Sequence, residues 1–282
     1  MPQTGNLCDV RWIVGDIHGM AQALSGLIDA VARRDSAARW IFVGDYVNRG
    51  PDSRGVIDFL LKLPNARFCR GNHDDVFDVL INGQSYVEQL TNNNRAGAFK
   101  WFMEHGLRET LASYGTHDSA MRSMLVHPTA AGMDELVAGV PQSHRKFIRE
   151  LEPVVEEEDI FIVHARWDPA TPDESPSPTT YLEVDRNLRK TTTWGRFTIE
   201  EVDHPKTWRR TGFFGHTPVD FYGARGGFSR HGGGKLVPII GQKMVLIDTA
   251  VALSPVGRLT AYCPDTSSYI QVDRQGRLVD DT

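Results

Sequence analysis

The sequence predicts an α/β fold, and three observations carry that reading. Short apolar runs of β character alternate with segments whose apolar residues recur every three or four positions. Several of the runs stop at a Gly-Asp or Gly-His pair, where a strand would turn sharply into a loop. Of the 282 residues, 40% are apolar and 24% charged, enough apolar surface to offset chain entropy, which excludes a disordered chain. The length allows one large α/β domain or two small ones.

Taken in order, Arg11-Trp12-Ile13-Val14 reads as the first strand and stops at Gly15-Asp16. A helix follows, with Leu24, Leu27, Ile28 and Val31 on one face. Trp40-Ile41-Phe42-Val43 is the next strand and stops at Gly44-Asp45. Ser53 is placed to cap a helix carrying Val56, Ile57, Leu60 and Leu61. The run Ala66-Arg67-Phe68-Cys69 leads to Arg70-Gly71-Asn72-His73. Residues 74–115 and 133–152 read as helical, with Pro141 in a first turn and Phe147, Ile148 and Leu151 on one face. Strands return at 159–163, ending at His164, at 212–214, ending at Gly215-His216, and at 243–247, ending at Asp248. A closing hairpin is expected within 257–275. Residues 168–180, rich in proline, and 223–234, rich in glycine, read as surface loops beside these motifs.

Charge and composition exclude several functions. With 31 Lys and Arg against 36 Asp and Glu, the formal charge is −5, against the basic surplus that a duplex nucleic-acid binder needs. The first nine residues lack the zones of a signal peptide, and no apolar run approaches the roughly 20 residues of a membrane span. Cys8, Cys69 and Cys263 are odd in number and far apart. A disulfide framework is not expected, and the cytoplasm is the expected compartment.

The chemistry collects at the run ends. Asp16, Asp45, Asn72, His164, His216 and Asp248 each follow an apolar run. In an α/β sheet, ligands bind outside the carboxyl ends of the strands, so six distant segments can converge there. Asp16 and His18, two apart, share a side if the chain is extended; Asn72 and His73 would then point apart and do different work. Carboxylate, amide oxygen and imidazole, without thiolate, suit Mn²⁺, Fe or Zn²⁺ over a Cys-type structural zinc site. If two divalent ions shared Asp45, the two Asp charges would leave a positive surplus suited to a hydroxide and a phosphate group.

Gly15-Asp16-Ile17-His18-Gly19, Gly44-Asp45-Tyr46-Val47-Asn48-Arg49-Gly50, Gly71-Asn72-His73-Asp74, Val163-His164-Ala165 and Gly215-His216-Thr217 resemble, in order, the calcineurin-type metallophosphoesterase signature. The resemblance is closest to the phosphoprotein phosphatase branch, and extends to the symmetrical diadenosine tetraphosphate hydrolases. It covers residues 11–250 and implies one domain over 1–282, a four-layer αββα sandwich of two mixed sheets flanked by helices. It implies two divalent ions, Mn²⁺ before Fe or Zn²⁺. Asp16 and His18 would hold the first ion, Asp45 would bridge, and Asn72, His164 and His216 would hold the second. His73 would be the general acid, and Arg49 would grip phosphate. Trp194-Gly195-Arg196 resembles a Trp-x-Arg element of phage-type enzymes and makes Arg196 a second phosphate ligand. The implied reaction is in-line attack by a bridging hydroxide on a phosphomonoester, phosphoserine or phosphothreonine on proteins. The alternatives are a dinucleoside polyphosphate hydrolase and a non-catalytic binding protein that keeps the fold. The expected partner is a phosphorylated protein or small phosphoester, with neither duplex nucleic acid nor membrane.

Two positions depart from the pattern. Phosphoprotein phosphatases carry Asp where this chain has Asn48, whose amide oxygen can accept the imidazole N–H without supplying charge; in a comparable triad such a change costs up to ~10⁴-fold. Asp52, Asp74 and Asp75 are the candidates to supply the missing charge. Asp248-Thr249-Ala250 stands where relatives have Asp-Thr-Gly, which implies an altered tight turn. Of the other histidines, only His231, in its glycine-rich loop, is placed to reach a substrate; of the tryptophans, which otherwise read as core, Trp167 is the candidate pocket wall.

Overall fold

The computed structural model of the chain describes residues 10–87, 94–167, 179, 186–226 and 236–279. In the first of two five-stranded sheets, β1 (Arg11–Val14) lies parallel to β2 (Arg39–Phe42), which lies parallel to β3 (Ala66–Phe68). The second is built from β4 (Val155–Glu156), β5 (Ile160–Ile162), β6 (Thr211–Phe214), β7 (Ile239–Gly241) and β8 (Met244–Leu246), in the order β4-β5-β6-β8-β7. β9 (Leu259–Cys263) and β10 (Ser268–Val272) pair antiparallel and extend the first sheet beyond β1. Both sheets are mixed, with parallel central strands. That explains why Trp12, Ile13, Val14, Ile41 and Phe42 form unbroken apolar runs: a strand covered on both faces has no polar side to show.

The core falls into three apolar layers. Ile13, Ile41, Val43, Ile162, Phe213 and Val245 meet between the sheets. On the outer face of the first sheet, Trp12, Val14 and Phe42 pack under helices; on that of the second, Phe161, Phe214 and Leu246 pack with Trp167, Leu188 and Tyr222. The result is the four-layer arrangement. The helices over the first sheet are α1 (Ala21–Ala32), α2 (Ser53–Leu60), α3 (Asn72–Asn82), α4 (Arg95–Met103), α5 (Leu107–Ser113), α6 (Asp118–Val126), α7 (Ala130–Leu136) and α8 (Gln142–Arg149). α9 (Arg186–Trp194) and α10 (Ile199–Asp203) follow β5 in the chain.

Local details differ from the sequence expectations. Asp52, not Ser53, caps α2, its carboxylate accepting from Gly55 N at 2.8 Å; Ser53 is turned inward to other work. Pro141 is the residue before the first turn of α8 (φ −61°, ψ 152°), not inside it. α6 falls in a span with no expected helix and buries only Met121 and Met124, too sparse a stripe to read from spacing. Trp167 is buried against Phe161 as core and is no pocket wall. Cys69 and Cys263 are buried and unpaired. The loops 168–180 and 223–234, with His231, lie almost wholly outside the described residues. Among the described residues, no helix is long and apolar enough to cross a membrane.

Candidate metal centre

The expected site residues meet at the carboxyl ends of the parallel strands, across the seam between the sheets. Asp16, His18, Asp45, Asn72, His73, His164 and His216 are all buried. Two groups of side chains have ligand atoms close enough to hold an ion each: His18, Asp45 and His73, and Asp45, His164 and His216. Asp45 belongs to both. Its Oδ2 lies 3.4 Å from His18 Nε2 and 3.3 Å from His164 Nε2. Asp16 Oδ2 lies 3.9 Å from His18 Nε2 and accepts from His216 N at 3.0 Å. Asn72 Oδ1 lies 3.0 Å from His164 Nε2 and 2.9 Å from His216 Nδ1.

Backbone geometry aims these groups. His18 (φ 47°), Asp45 (φ 57°) and His216 (φ 66°) adopt the left-handed conformation, which costs about 1–2 kcal/mol each outside glycine. Hydrogen bonds hold them there: His18 N donates to Asp45 O at 2.8 Å, and Asp74 accepts from Asp45 N and Tyr46 N at 2.8 and 2.9 Å. Asp16 and His18 therefore face each other through a tight turn, not along an extended chain. Asn72 and His73 diverge because they open α3, where neighbours point about 100° apart. Gly44 (φ 114°) admits no side chain, since a Cβ there would stand 2.7 Å from Gly71 N and 2.8 Å from His164 Nδ1.

The donors fit cations. Asp16 Oδ1, Asp45 Oδ2 and Asp248 Oδ2 are buried without a hydrogen-bond partner, a costly state that a positive ion relieves. His18 Nδ1 lies 3.0 Å from Val47 O, and His164 Nδ1 3.0 Å from Val43 O. Donation to those carbonyls fixes the tautomer and turns Nε2 toward the cluster. Electrostatics agree. Burial and the neighbouring Asp248 push the Asp16 carboxyl well above its usual range. Burial would raise Asp45 too, but His164, His73 and His18 outweigh it and hold that carboxyl well below. Burial lowers His164, yet Asp45 more than compensates and holds it at about 9. Burial and Arg49 bring His18 down to about 3.

Arg49 (φ 69°) reaches His18 Nε2 with Nη1 at 2.5 Å, at the mouth of the cluster. Arg196 is exposed and donates to Thr217 Oγ1 at 3.3 Å, one residue from His216. Asn48 (φ 71°) is fully buried, and its Nδ2 lies 2.9 Å from His73 Nδ1. Thr110 Oγ1 donates to Asn48 Oδ1 at 2.9 Å, leaving the amide nitrogen to donate to His73 Nδ1 and the imidazole proton on Nε2. This reverses the expectation that the amide oxygen would accept from the ring. None of the three candidate carboxylates supplies the missing charge, and the charge nearest His73 is that of Asp45. Asp52 caps α2, Asp74 holds backbone N–H groups, and Asp75 binds Arg70, Ser85 and Tyr86 N. Burial keeps His73 well below its ordinary pKa.

Three contributors left no motif in the sequence. Thr110 and Ser53 form the buried network around Asn48, with Asn48 N 2.8 Å from Thr110 Oγ1 and 3.1 Å from Ser53 Oγ. Gly106 (φ 86°) accepts from Arg49 N at 3.0 Å. Beside the site, Phe102 stands edge-on to His73 (5.0 Å) and Trp194 edge-on to His216 (6.5 Å), while Trp101 stacks on Trp194 at 5.2 Å and 14°. Ala250 holds φ 61°, so the chain makes a left-handed turn with alanine after Asp248-Thr249.

A family model described as calcineurin-like phosphoesterase matches residues 11–220. A symmetrical bis(5'-nucleosyl)-tetraphosphatase from Pseudomonas fluorescens is 32% identical over 124 residues, 41% of each chain. One from Coxiella burnetii is 40% identical over 63 residues, 22% of each chain. The matched segments thus span less than half of these relatives. Among solved structures, one described as a candidate diadenosine tetraphosphatase superposes with TM-score 0.53 at 19% identity, covering 98% of this chain and 96% of its own. A cold-active protein-tyrosine phosphatase from Shewanella gives TM-score 0.51 at 13% identity, covering 96% and 80%. These two likenesses concern the fold.

Proposed function

The chain belongs to the calcineurin-like phosphoesterase family, and from that membership we propose that it hydrolyses dinucleoside polyphosphates with two divalent ions at the centre described. The observation that carries the reaction is that Asp45 belongs to both groups of ligand atoms, with Asp16 beside His18 and Asn72 beside His164 and His216; His73, which also falls in the first group, is read as the group at the leaving oxygen. Asp16 and His18 would hold one ion, Asn72, His164 and His216 the other, with Asp45 between them. Bound there, the ions supply a nucleophile from water at neutral pH and charge neutralisation for the phosphoryl oxygens. Mn²⁺ is the first ion to test, because the donors are carboxylate, amide oxygen and imidazole. Arg49, and Arg196 at the rim, would orient the phosphate in line. His73, with its proton on Nε2, would donate a hydrogen bond to the leaving oxygen.

Asn48 supports the choice of substrate. A serine alkoxide is a poor leaving group and needs a strong, charge-supported acid. A nucleoside diphosphate leaves as a phosphate oxygen, whose second pKa is only about 6, so it departs without a proton and a hydrogen bond from the neutral Asn48–His73 pair suffices. The names of the relatives point the same way. A second reading, a phosphomonoesterase for phosphoserine or phosphothreonine in proteins, is favoured by the two arginines, which suit a dianionic terminal phosphate. We read the chain as one domain, and the unpaired buried Cys69 and Cys263 suit a reducing cytoplasm. The test is product analysis with Mn²⁺ and after chelation. Metal-dependent release of ADP from diadenosine tetraphosphate supports the first reading, and phosphate release from phosphoserine peptides alone overturns it in favour of the second.

A further inference from the structure

Trp101, 39% exposed, is one of ten large apolar side chains left open among the described residues, and it lies beside the metal centre. Its ring stacks nearly parallel on Trp194, from a segment more than 90 residues away, and meets Phe102 and His105 edge-on at 5.0 and 6.0 Å. Trp194 in turn stands edge-on to His216 and to Phe102, which abuts His73. The aromatic wall is therefore continuous from the candidate general acid and a candidate ion ligand outward to the open ring of Trp101. An exposed indole backed by a second indole presents a flat, held π surface, and flat surfaces recognise flat ligands.

From this juxtaposition we propose that Trp101, backed by Trp194, is the platform on which a nucleobase of the substrate stacks. The inference rests on the hydrolase reading above and deepens it. Reach selects the base over other groups. The side chain of phosphoserine or phosphothreonine carries no ring. A phosphotyrosine ring is bonded directly to the ester oxygen and must stay next to the ions, whereas Trp101 lies a full ring beyond Trp194. A base separated from the attacked phosphorus by ribose and at least one further phosphate spans that gap.

The test compares two substrates on the metal-loaded enzyme: diadenosine tetraphosphate, and inorganic tripolyphosphate, which has no base. Trp101→Ala is expected to lower the ratio of kcat/KM for the first over the second by about 5- to 150-fold, the worth of one base–aromatic stack, mainly through KM. Trp101→Tyr is expected to recover most of the ratio. ADP is expected to quench indole fluorescence in the wild-type chain and less in Trp101→Ala. An unaltered ratio, or a Trp101 effect confined to phosphotyrosine, overturns the platform while leaving the hydrolase reading standing. Quenching by ADP through Trp101 in an enzyme that cleaves no polyphosphate overturns the reaction assignment and leaves the platform standing.

Discussion

Gly106→Ala offers a perturbation whose cost follows from the structure. Gly106 sits at φ 86°, ψ 17°, just before α5, and its carbonyl accepts from Arg49 N. An alanine there adopts a left-handed conformation at about 1–2 kcal/mol. Its Cβ would also stand 2.2 Å from Arg49 N and 2.5 Å from Arg49 Cα, contacts that no side-chain rotation relieves because both atoms are backbone. The two segments must part, which sacrifices a hydrogen bond worth roughly 1 kcal/mol. The expected loss of stability is about 2–3 kcal/mol in all. Arg49 moves with its backbone, and a displacement near 1 Å at a substrate-orienting group costs on the order of 10²-fold. Gly83→Ala is the control, since Gly83 is also left-handed (φ 70°) but has nothing within 4 Å of the added Cβ. It should lose about 1 kcal/mol and keep its turnover. Thermal denaturation and kcat/KM on diadenosine tetraphosphate, measured on both variants with metal, decide the matter. If Gly106→Ala keeps wild-type kcat/KM, or if Gly83→Ala falls as far, the clamp on Arg49 does not matter to catalysis.

Three further outcomes are expected. Asp45→Asn should abolish turnover of an aryl phosphate, well beyond the ~10–100-fold typical of outer-shell partners, while near-wild-type melting shows the fold intact; near-normal turnover would contradict the shared-ligand reading. Asn48→Asp should raise the rate on phosphoserine peptides about tenfold, because a charged acceptor strengthens the bond to His73; a flat or lower rate would show that the position serves a leaving group needing no charge. Asp45 holds the His164 proton up to about pH 9, so the protonated pair stabilises the metal-free chain below pH ~6.5, and that contribution fades as pH rises through about 9. An ion must displace that proton, so affinity should weaken by about tenfold per unit as pH falls below about 9. Calorimetry in buffers of different ionisation enthalpy should register net proton release on loading near pH ~7.5.

Much of this site could be read from the sequence because it is built from short segments at strand ends. Asp16, Asp45, His164 and His216 each follow an apolar run, and a parallel sheet brings such ends to one edge whatever lies between them. Strand positions were legible for the same reason. What escaped notice depends on contacts between segments without local signature. Thr110 is an ordinary mid-helix threonine until Asn48, 62 residues away, is brought against it. Ser53 looks like a cap, but Asp52, one residue earlier, takes that work and frees Ser53 to face inward. Trp167 adjoins the His164 motif in the chain yet turns into the core, while Trp101 and Trp194, distant from each other in sequence, meet at the rim.

The ligands come from both sheets: Asp16, His18, Asp45 and Asn72 follow strands of the first, His164 and His216 strands of the second. Ions seated among them would act as a clasp at one edge of the sandwich, adding to the apolar layer between the sheets and to ion pairs that cross it, such as Arg11 and Arg39 with Glu157. Loading should then slow the parting of the sheets under heat or mechanical pull, with resistance rising with ion concentration. Conversely, trimming Ile162 or Val245, deep in that seam, should loosen the grip on the ions although neither residue touches them.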